Sequence, residues 1–235
     1  MNLLLFSADE LRSGNTLQLT DRRLQHMRNV HGAAVGDTLR VGEIGGLTGI
    51  GRVESLNERE AVLSIQLSDE PPAKLPVTLV LALPRPKMLR RILRAVAEFG
   101  VAELHLINSY RVEKSFWQTP VLEDNVIHEY MQHGLEQSRD TVFPTVARHT
   151  RFKPFVEDML PGLLQGKRGL LAHPGEWPPC PRGITGDTLL VVGPEGGFIP
   201  YEVEQLQQAG CDTVSLGPRI LRVENAISAL LARLF

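Results

Sequence analysis

A glycine-rich loop near the C-terminus is the stretch of this chain best suited to hold a small molecule. Gly193-Pro-Glu-Gly-Gly197 follows the apolar run Thr188–Val192, which is typical of a buried strand. Residues without a Cβ adopt positive φ angles and let the backbone come close to a ligand. The spacing matches neither the dinucleotide fingerprint nor the phosphate-binding P-loop. The loop is therefore either a cofactor cradle of another kind or a tight turn in an α/β sheet.

The stretch Leu216–Ala226 is the second one with chemically useful residue types. A Gly-Pro turn at Gly217 and Pro218 separates a short strand from an apolar helix that runs to the C-terminus. Arg222 and Glu224 stand at the start of this helix. They are either functional groups beside the glycine-rich loop or an ion pair or cap on the first helical turn.

Together the two stretches resemble the SPOUT class of RNA methyltransferases. More narrowly, they resemble the RsmE family, which carries G-P-E-G-G and then L-G-x-R-I-L-R-x-E-T-A. The matching positions are Gly193–Gly197, Leu216, Gly217, Arg219–Arg222, Glu224 and Ala226. The resemblance implies S-adenosylmethionine as the cofactor, N3 of a uridine in small-subunit (16S) ribosomal RNA as the methylated atom, and a homodimer.

The resemblance also implies a two-domain α/β fold. We expect an N-terminal PUA-like small β-barrel that binds RNA at residues 1–70, a linker at 71–76, and a SPOUT methyltransferase domain at 77–235. The SPOUT domain is expected to have a mainly parallel sheet and a deep C-terminal trefoil knot. The sequence pattern is compatible with this plan, because short strands with glycine turns occupy the first part and strands alternate with helices from Val77 onward.

The residues expected to hold the cofactor lie in three loops at the ends of strands. Backbone groups of the glycine-rich loop would contact the adenosine, apolar side chains would enclose the ring, and Glu195 would shape the loop by accepting backbone hydrogen bonds. His173 is either a cofactor neighbour, since parallel strands end at one edge, or a surface histidine. The expected set is Leu171, Ala172, His173, Gly193, Pro194, Glu195, Gly196, Gly197, Leu216, Gly217, Ile220 and Leu221.

Catalysis is expected from Arg222 and Glu224. Uridine N3 carries a proton and lies on the pairing edge of the base, so the base must be unpaired or flipped outward. Arg222 would stabilise negative charge that develops on the uracil carbonyls. Glu224 would accept the N3 proton, directly or through water. No metal is needed, because the methyl group of a sulfonium is already activated.

Eleven cationic side chains are candidates for RNA phosphate contact. The densest cluster lies on and just before the predicted helix Pro86–Phe99, and solvated helix surfaces are the alternative interpretation. In the loop after the next strand, Tyr110 or Trp117 would stack on a base, or both would simply pack. The eleven are Arg22, Arg23, Arg28, Arg85, Lys87, Arg90, Arg91, Arg94, Arg111, Lys114 and Arg139.

Composition narrows the class of protein without naming a function. The 235 residues carry a net charge of −2, so RNA binding would need a local basic patch. No apolar run is long enough to span a bilayer, and two cysteines cannot form a zinc cluster, so a reduced cytoplasmic protein is expected. Three alternatives remain: a SPOUT enzyme with another target such as a ribose 2′-hydroxyl, a non-catalytic RNA-binding or ribosome-assembly factor, and an unrelated nucleotide-binding enzyme.

Overall fold

The computed structural model describes residues 2–235 and divides the chain into two compact units. One unit contains the chain up to Ala73 together with Met131–Phe143. The other contains Lys74–Tyr130 and Pro144–Phe235. The first unit is thus built from two separate stretches of sequence, which the expected division at residues 70–77 does not anticipate.

A six-stranded sheet forms the first unit, in the order β1-β4-β5-β6-β3-β2. This order leaves β1 and β2 at its edges, so the sheet is a half-barrel where the sequence predicted a barrel. Side chains that alternate along β3 and β6, such as Leu17, Leu63 and Ile65, point into one apolar core. The strands are β1 (Leu4–Phe6), β2 (Leu11–Arg12), β3 (Thr16–Leu19), β4 (Thr38–Glu43), β5 (Thr48–Leu56) and β6 (Ala61–Asp69).

The stretch Met131–Phe143 is hydrogen-bonded to the start of the chain and to the turn after β4. The carbonyl of Glu136 accepts the backbone N–H groups of Asn2 and Leu3, both at 3.0 Å. The N–H of Gly45 donates to the carbonyl of Thr141 at 2.9 Å. These bonds satisfy backbone groups at a sheet edge that would otherwise stay unpaired.

The second unit contains a six-stranded sheet in which every pairing is parallel, in the order β12-β10-β11-β7-β8-β9. The predicted mainly parallel sheet is therefore confirmed. All six strands end at the same edge, which is where ligands bind in sheets of this kind. The strands are β7 (Leu75–Ala82), β8 (Val101–Ile107), β9 (Thr145–His149), β10 (Arg168–Ala172), β11 (Thr188–Val192) and β12 (Cys211–Val214).

The helices bury their apolar stripes within the chain. On α2, Leu89, Ile92 and Leu93 are fully buried, as the helical spacing predicts. The apolar residues of α7 are buried in the same way. The helices are α1 (Arg22–His26), α2 (Pro86–Glu98), α3 (Asp124–Ser138), α4 (Phe152–Pro154), α5 (Leu160–Leu164), α6 (Pro200–Gln208) and α7 (Val223–Leu234).

Two local predictions differ from the structure. Strand β7 begins at Leu75, so the last two residues of the expected linker 71–76 belong to the sheet. The sequence from Lys153 to Gln165 predicts one helix, whereas the structure interrupts it with a π-helical turn at Phe155–Met159. Pro161 follows that turn and has no N–H to donate, so a regular ladder of α-helical hydrogen bonds cannot pass through it.

Among residues 2–235, no helix is long and apolar enough to cross a membrane.

Candidate functional site

A cavity of about 310 Å³ lies at the carboxyl edge of the parallel sheet. Ala172, Val192 and Val214 are the last residues of the neighbouring strands β10, β11 and β12, and all three line it. The three loops that follow these strands therefore converge on one space. Adjacent strand ends bring together segments that are far apart in sequence, which explains how the two motifs meet.

Ten of the twelve predicted cofactor residues line this cavity. The exceptions are Leu171 and Gly196. Leu171 and Ala172 are the last two residues of β10, and successive side chains of a strand point to opposite faces. Ala172 faces the cavity, whereas Leu171 is fully buried and does not line it. The ten are Ala172, His173, Gly193, Pro194, Glu195, Gly197, Leu216, Gly217, Ile220 and Leu221.

Eight further residues of the lining were not identified from the sequence as ligand contacts. Val223, Ala226 and Leu230 follow helical spacing along α7, so this periodicity could have revealed the face that α7 turns toward the cavity. The strand ends Val192 and Val214 carry no distinguishing residue type. The full set is Pro174, Val192, Val214, Ser215, Arg219, Val223, Ala226 and Leu230.

Gly196 anchors the glycine-rich loop from outside the cavity. The Arg111 guanidinium donates a hydrogen bond to the Gly196 carbonyl. A Cβ on Gly196 would lie 3.0 Å from Cδ of Arg111, so the absence of a side chain permits this close approach. Gly197 lines the cavity with a φ of +72°, a conformation that residues with a Cβ rarely adopt. Arg111, predicted to contact RNA, thus has a partner in the loop itself.

Two carboxylates hold the loop in place. Glu195 accepts the backbone N–H of Arg85 at 3.1 Å, which agrees with its predicted loop-shaping role. Glu202, only 3% exposed, accepts the N–H of Ile199 at 3.0 Å and that of Tyr110 at 2.7 Å. Because Glu202 lies in the first turn of α6, it also faces the positive end of the helix dipole. These bonds hold the middle of the loop at Glu195 and the residue Ile199 that follows the loop.

His173 presents an unpaired acceptor to the cavity. Its Nδ1 lies 2.7 Å from the carbonyl oxygen of Pro174. A carbonyl can only accept, so Nδ1 carries a proton, and in the tautomer with its one proton on Nδ1 the other ring nitrogen, Nε2, is an acceptor. Nε2 is buried and has no hydrogen-bond partner within the described residues. The Trp177 ring meets the imidazole edge-on, with centroids 6.5 Å apart.

Arg222 and Glu224 occupy different sides of the start of α7. Arg222 is the N-cap residue, is exposed and lines the cavity. Glu224 is not part of the lining; its Oε1 lies 3.7 Å from Nη1 of Arg91 on α2. Its Oε2 is buried without a hydrogen-bond partner in the part of the chain that the structure describes. The members of the predicted pair are therefore only two residues apart in sequence but are divided between the cavity and the α2 side of the helix.

All five cationic residues of the predicted basic cluster on and just before α2 are exposed. Arg90 and Arg94 place their guanidinium groups 5.9 and 5.0 Å from the ring centroid of Tyr130. Cation–π contact of this kind leaves the charge accessible. Lys87 makes no ion pair among the described residues. Together with Arg85 and Arg91 they form a basic face that adjoins the cavity through the Arg85–Glu195 hydrogen bond.

The N-terminal arginines differ from one another. Arg23 is only 9% exposed and bonds to the carboxylates of Glu10 and Asp21 and the carbonyl of Leu5. Burial alone would lower the pKa of Arg23, but the two carboxylates raise it above its usual value. The donors of Arg23 are thus already used inside the protein, and its predicted phosphate contact stays a prediction.

The remaining predicted phosphate contacts stay exposed to different degrees. Arg22 pairs with the carboxylate of Glu136 and is half-exposed. Arg28 and Lys114 are exposed. Arg139 is exposed at the C-terminal end of α3 with a φ of +63°, so its conformation serves to end that helix. Within residues 2–235, no group of three His, Cys, Asp or Glu side chains is arranged to hold a metal.

Comparisons with known proteins agree with this geometry. The RNA methyltransferase domain family matches residues 71–235. Ribosomal RNA small subunit methyltransferase E of Treponema pallidum is 28% identical over 99% of this chain and 90% of the relative. The protein of the same name from Synechocystis is 28% identical over 93% of this chain and 72% of the relative.

A solved structure has the same fold. The Neisseria gonorrhoeae ribosomal RNA small subunit methyltransferase E, bound to S-adenosyl methionine, superimposes with a TM-score of 0.76. Its sequence is 23% identical, and the alignment covers 99% of this chain and 95% of that one. The chain belongs to the RNA methyltransferase domain family and, within it, to the RsmE family that its two motifs predicted.

Proposed function

We propose that this chain transfers a methyl group from S-adenosylmethionine to N3 of a uridine in small-subunit ribosomal RNA. The observation that carries the proposal is the cavity at the ends of β10, β11 and β12, which is lined by residues from both RsmE motifs. The relatives named for small-subunit ribosomal RNA support the substrate class. The choice of uridine N3 rests on the motif resemblance.

The cavity suits S-adenosylmethionine in size and in chemistry. Its volume of about 310 Å³ is in the range of small-molecule sites. Gly193 and Gly197 expose backbone groups, Leu216 and Ile220 supply apolar walls, and His173 Nε2 offers an acceptor that no protein group uses. When bound, the cofactor supplies a methyl group activated by its sulfonium. The protein therefore has to orient the acceptor atom and manage one proton.

Arg222 and Glu224 are the residues that we assign to the uracil. The guanidinium of Arg222 stands at the cavity wall, where it would stabilise negative charge on the uracil oxygens as N3 loses its proton. Glu224 Oε2 is buried without a partner and would accept that proton.

The rest of the molecule would bind the RNA. The exposed basic face of α2 would contact phosphates, and the first unit, as a PUA-like domain, would extend the RNA contact.

We also propose that the chain has the deep trefoil knot and forms the homodimer of the SPOUT class. Trp177, Ile220 and Leu221 are 37%, 82% and 40% exposed around the loop that follows β12, and a second copy would cover them. Sedimentation velocity would test the dimer.

Calorimetric titration with S-adenosylhomocysteine tests the cofactor site. Ala226→Leu places a larger side chain into the cavity from a regular helix, so we expect binding to be lost. Ala232→Leu, the same substitution on an exposed position of α7, is the control and should bind as the wild type does. Wild-type protein that binds no S-adenosylhomocysteine, alone or with small-subunit particles, would contradict the proposal.

Mass spectrometry of digested small-subunit RNA tests the target atom. Incubation with S-adenosylmethionine should add one methyl group to a uracil base at N3. A methyl group on a ribose 2′-hydroxyl would overturn the target atom while leaving the cofactor assignment intact. RNA binding without any methyl transfer would favour the assembly-factor alternative.

A further inference from the structure

Tyr110 displays its ring to solvent beside the glycine-rich loop. The residue is 79% exposed and lies in the turn that follows β8. Trp117, the other aromatic candidate for base stacking, is half-buried and donates its indole N–H to Oδ1 of Asn108 at 3.0 Å. The structure thus separates two side chains that the sequence treats as equivalent: Trp117 packs, and Tyr110 does not.

The backbone that carries the Tyr110 ring is tethered on both sides. Its own N–H donates to the buried carboxylate of Glu202 at 2.7 Å. The next residue, Arg111, donates to the carbonyl of Gly196. The turn is closed by the N–H of Val112, which donates to the carbonyl of Ser109 at 3.1 Å. An exposed ring on a fixed backbone loses little conformational freedom when a partner covers it.

The surroundings of Tyr110 identify the chemistry of that partner. Arg111 and Lys114 are exposed on the same segment, which favours a polyanion. Aromatic faces next to cations are the usual means of binding single-stranded or flipped nucleotides, because every base has a face that can stack. Gly196, to which this segment is bonded, lies between the cavity-lining residues Glu195 and Gly197. A base stacked on Tyr110 would therefore stand next to the cofactor loop.

We infer that Tyr110 is a positioning residue that stacks on a nucleobase of the RNA substrate beside the cofactor cavity. This inference rests on the proposed RNA methyl transfer and adds the residue that would hold an unpaired nucleotide in place. It concerns the face of the ring and not its hydroxyl group.

Three variants separate stacking from the other roles of a tyrosine. Tyr110→Phe keeps the ring, Tyr110→Leu keeps an apolar side chain without a ring face, and Tyr201→Leu removes a ring that is 49% exposed at the start of α6. We expect Tyr110→Leu to weaken RNA affinity in fluorescence anisotropy, and kcat/KM for methyl transfer, by about tenfold or more. Tyr110→Phe and Tyr201→Leu should remain close to the wild type. Affinity for S-adenosylhomocysteine should be the same in all four proteins.

Several outcomes would overturn the inference. RNA affinity of Tyr110→Leu equal to that of the wild type would do so, as would an equal loss in Tyr110→Phe, which would point to the hydroxyl. A change in sedimentation of Tyr110→Leu would place the ring between copies of the chain instead. Failure of the proposed function can be told apart from failure of this inference. If the proposed function were wrong, the wild type itself would transfer no methyl group, whereas RNA anisotropy would still show whether the Tyr110 ring contributes to RNA binding.

Discussion

Two of the residues that we propose to be functional carry a buried side-chain atom without a hydrogen-bond partner. Three buried side-chain atoms in residues 2–235 have no hydrogen-bond partner: Ser109 Oγ, His173 Nε2 and Glu224 Oε2. Such atoms are rare, since leaving a buried acceptor unpaired costs about 1–3 kcal/mol. His173 lines the cavity, and Glu224 lies two residues after Arg222, the N-cap residue of α7. Ligands that donate hydrogen bonds at these points would remove the penalty.

Replacing His173 by Phe tests this argument at the cofactor. The variant keeps an aromatic ring of similar shape but removes the acceptor at Nε2. We expect the affinity for S-adenosylhomocysteine to fall about 2–10-fold, which corresponds to one hydrogen bond of about 0.5–1.5 kcal/mol. Calorimetry measures the change. An affinity equal to that of the wild type would mean that no ligand donor reaches Nε2.

Replacing Arg222 by Ala tests the proposed charge stabilisation. Because the guanidinium is assigned to the transition state, methyl transfer should be abolished while cofactor affinity stays within a few-fold. Loss of one such donor typically costs about 100–1,000-fold in rate. Single-turnover kinetics with small-subunit RNA and calorimetry give the two quantities. Near-normal turnover would remove Arg222 from the mechanism. Arg182→Ala, at an exposed position outside the cavity, is the control.

At the scale of secondary structure, Glu202 links α6 to two loops. Its carboxylate accepts the N–H groups of Ile199 and Tyr110, and it is almost fully buried. Glu202→Ala would leave both donors unpaired, so the free energy of unfolding should fall by about 2 kcal/mol or more. Glu204→Ala, on an exposed position of the same helix, is the control and should change little. Urea unfolding measures both; equal stability of the two variants would contradict the role of Glu202.

The elements of the second unit were largely predictable, because their signals are local. The strand at 188–192 has the predicted bounds, since turn residues enclose a continuous apolar run. The helix from Pro86 was equally clear from its spacing. The buried ion pairs of Arg23 were not predictable, because Glu10 and Asp21 are acidic residues of ordinary appearance and only the fold places them around one guanidinium. Likewise, the sequence does not reveal that Leu171 faces away from the cavity.

At the scale of the whole molecule, the first unit depends on a segment that follows it by more than fifty residues of sequence. Met131–Phe143 contributes Glu136, which pairs with Arg22 and accepts two backbone N–H groups, and Thr141, whose hydroxyl donates to the carbonyl of Gly46 at 2.6 Å. Pairings at such separation leave no periodic signal, which is why the sequence suggested a self-contained domain at residues 1–70.

An isolated fragment of residues 1–73 should therefore fail to unfold cooperatively. It would lose the two N–H bonds to the Glu136 carbonyl, the Gly45–Thr141 bond and the Thr141–Gly46 bond. At about 0.5–1.5 kcal/mol each, these are about 2–6 kcal/mol, comparable with the total stability of a small domain. Thermal circular dichroism of the fragment, alone and with a peptide spanning 131–143, measures the effect. We expect a cooperative transition only when the peptide is present. A fragment that melts cooperatively by itself would show that the strands of the half-barrel suffice, and that the later segment only covers a unit already folded.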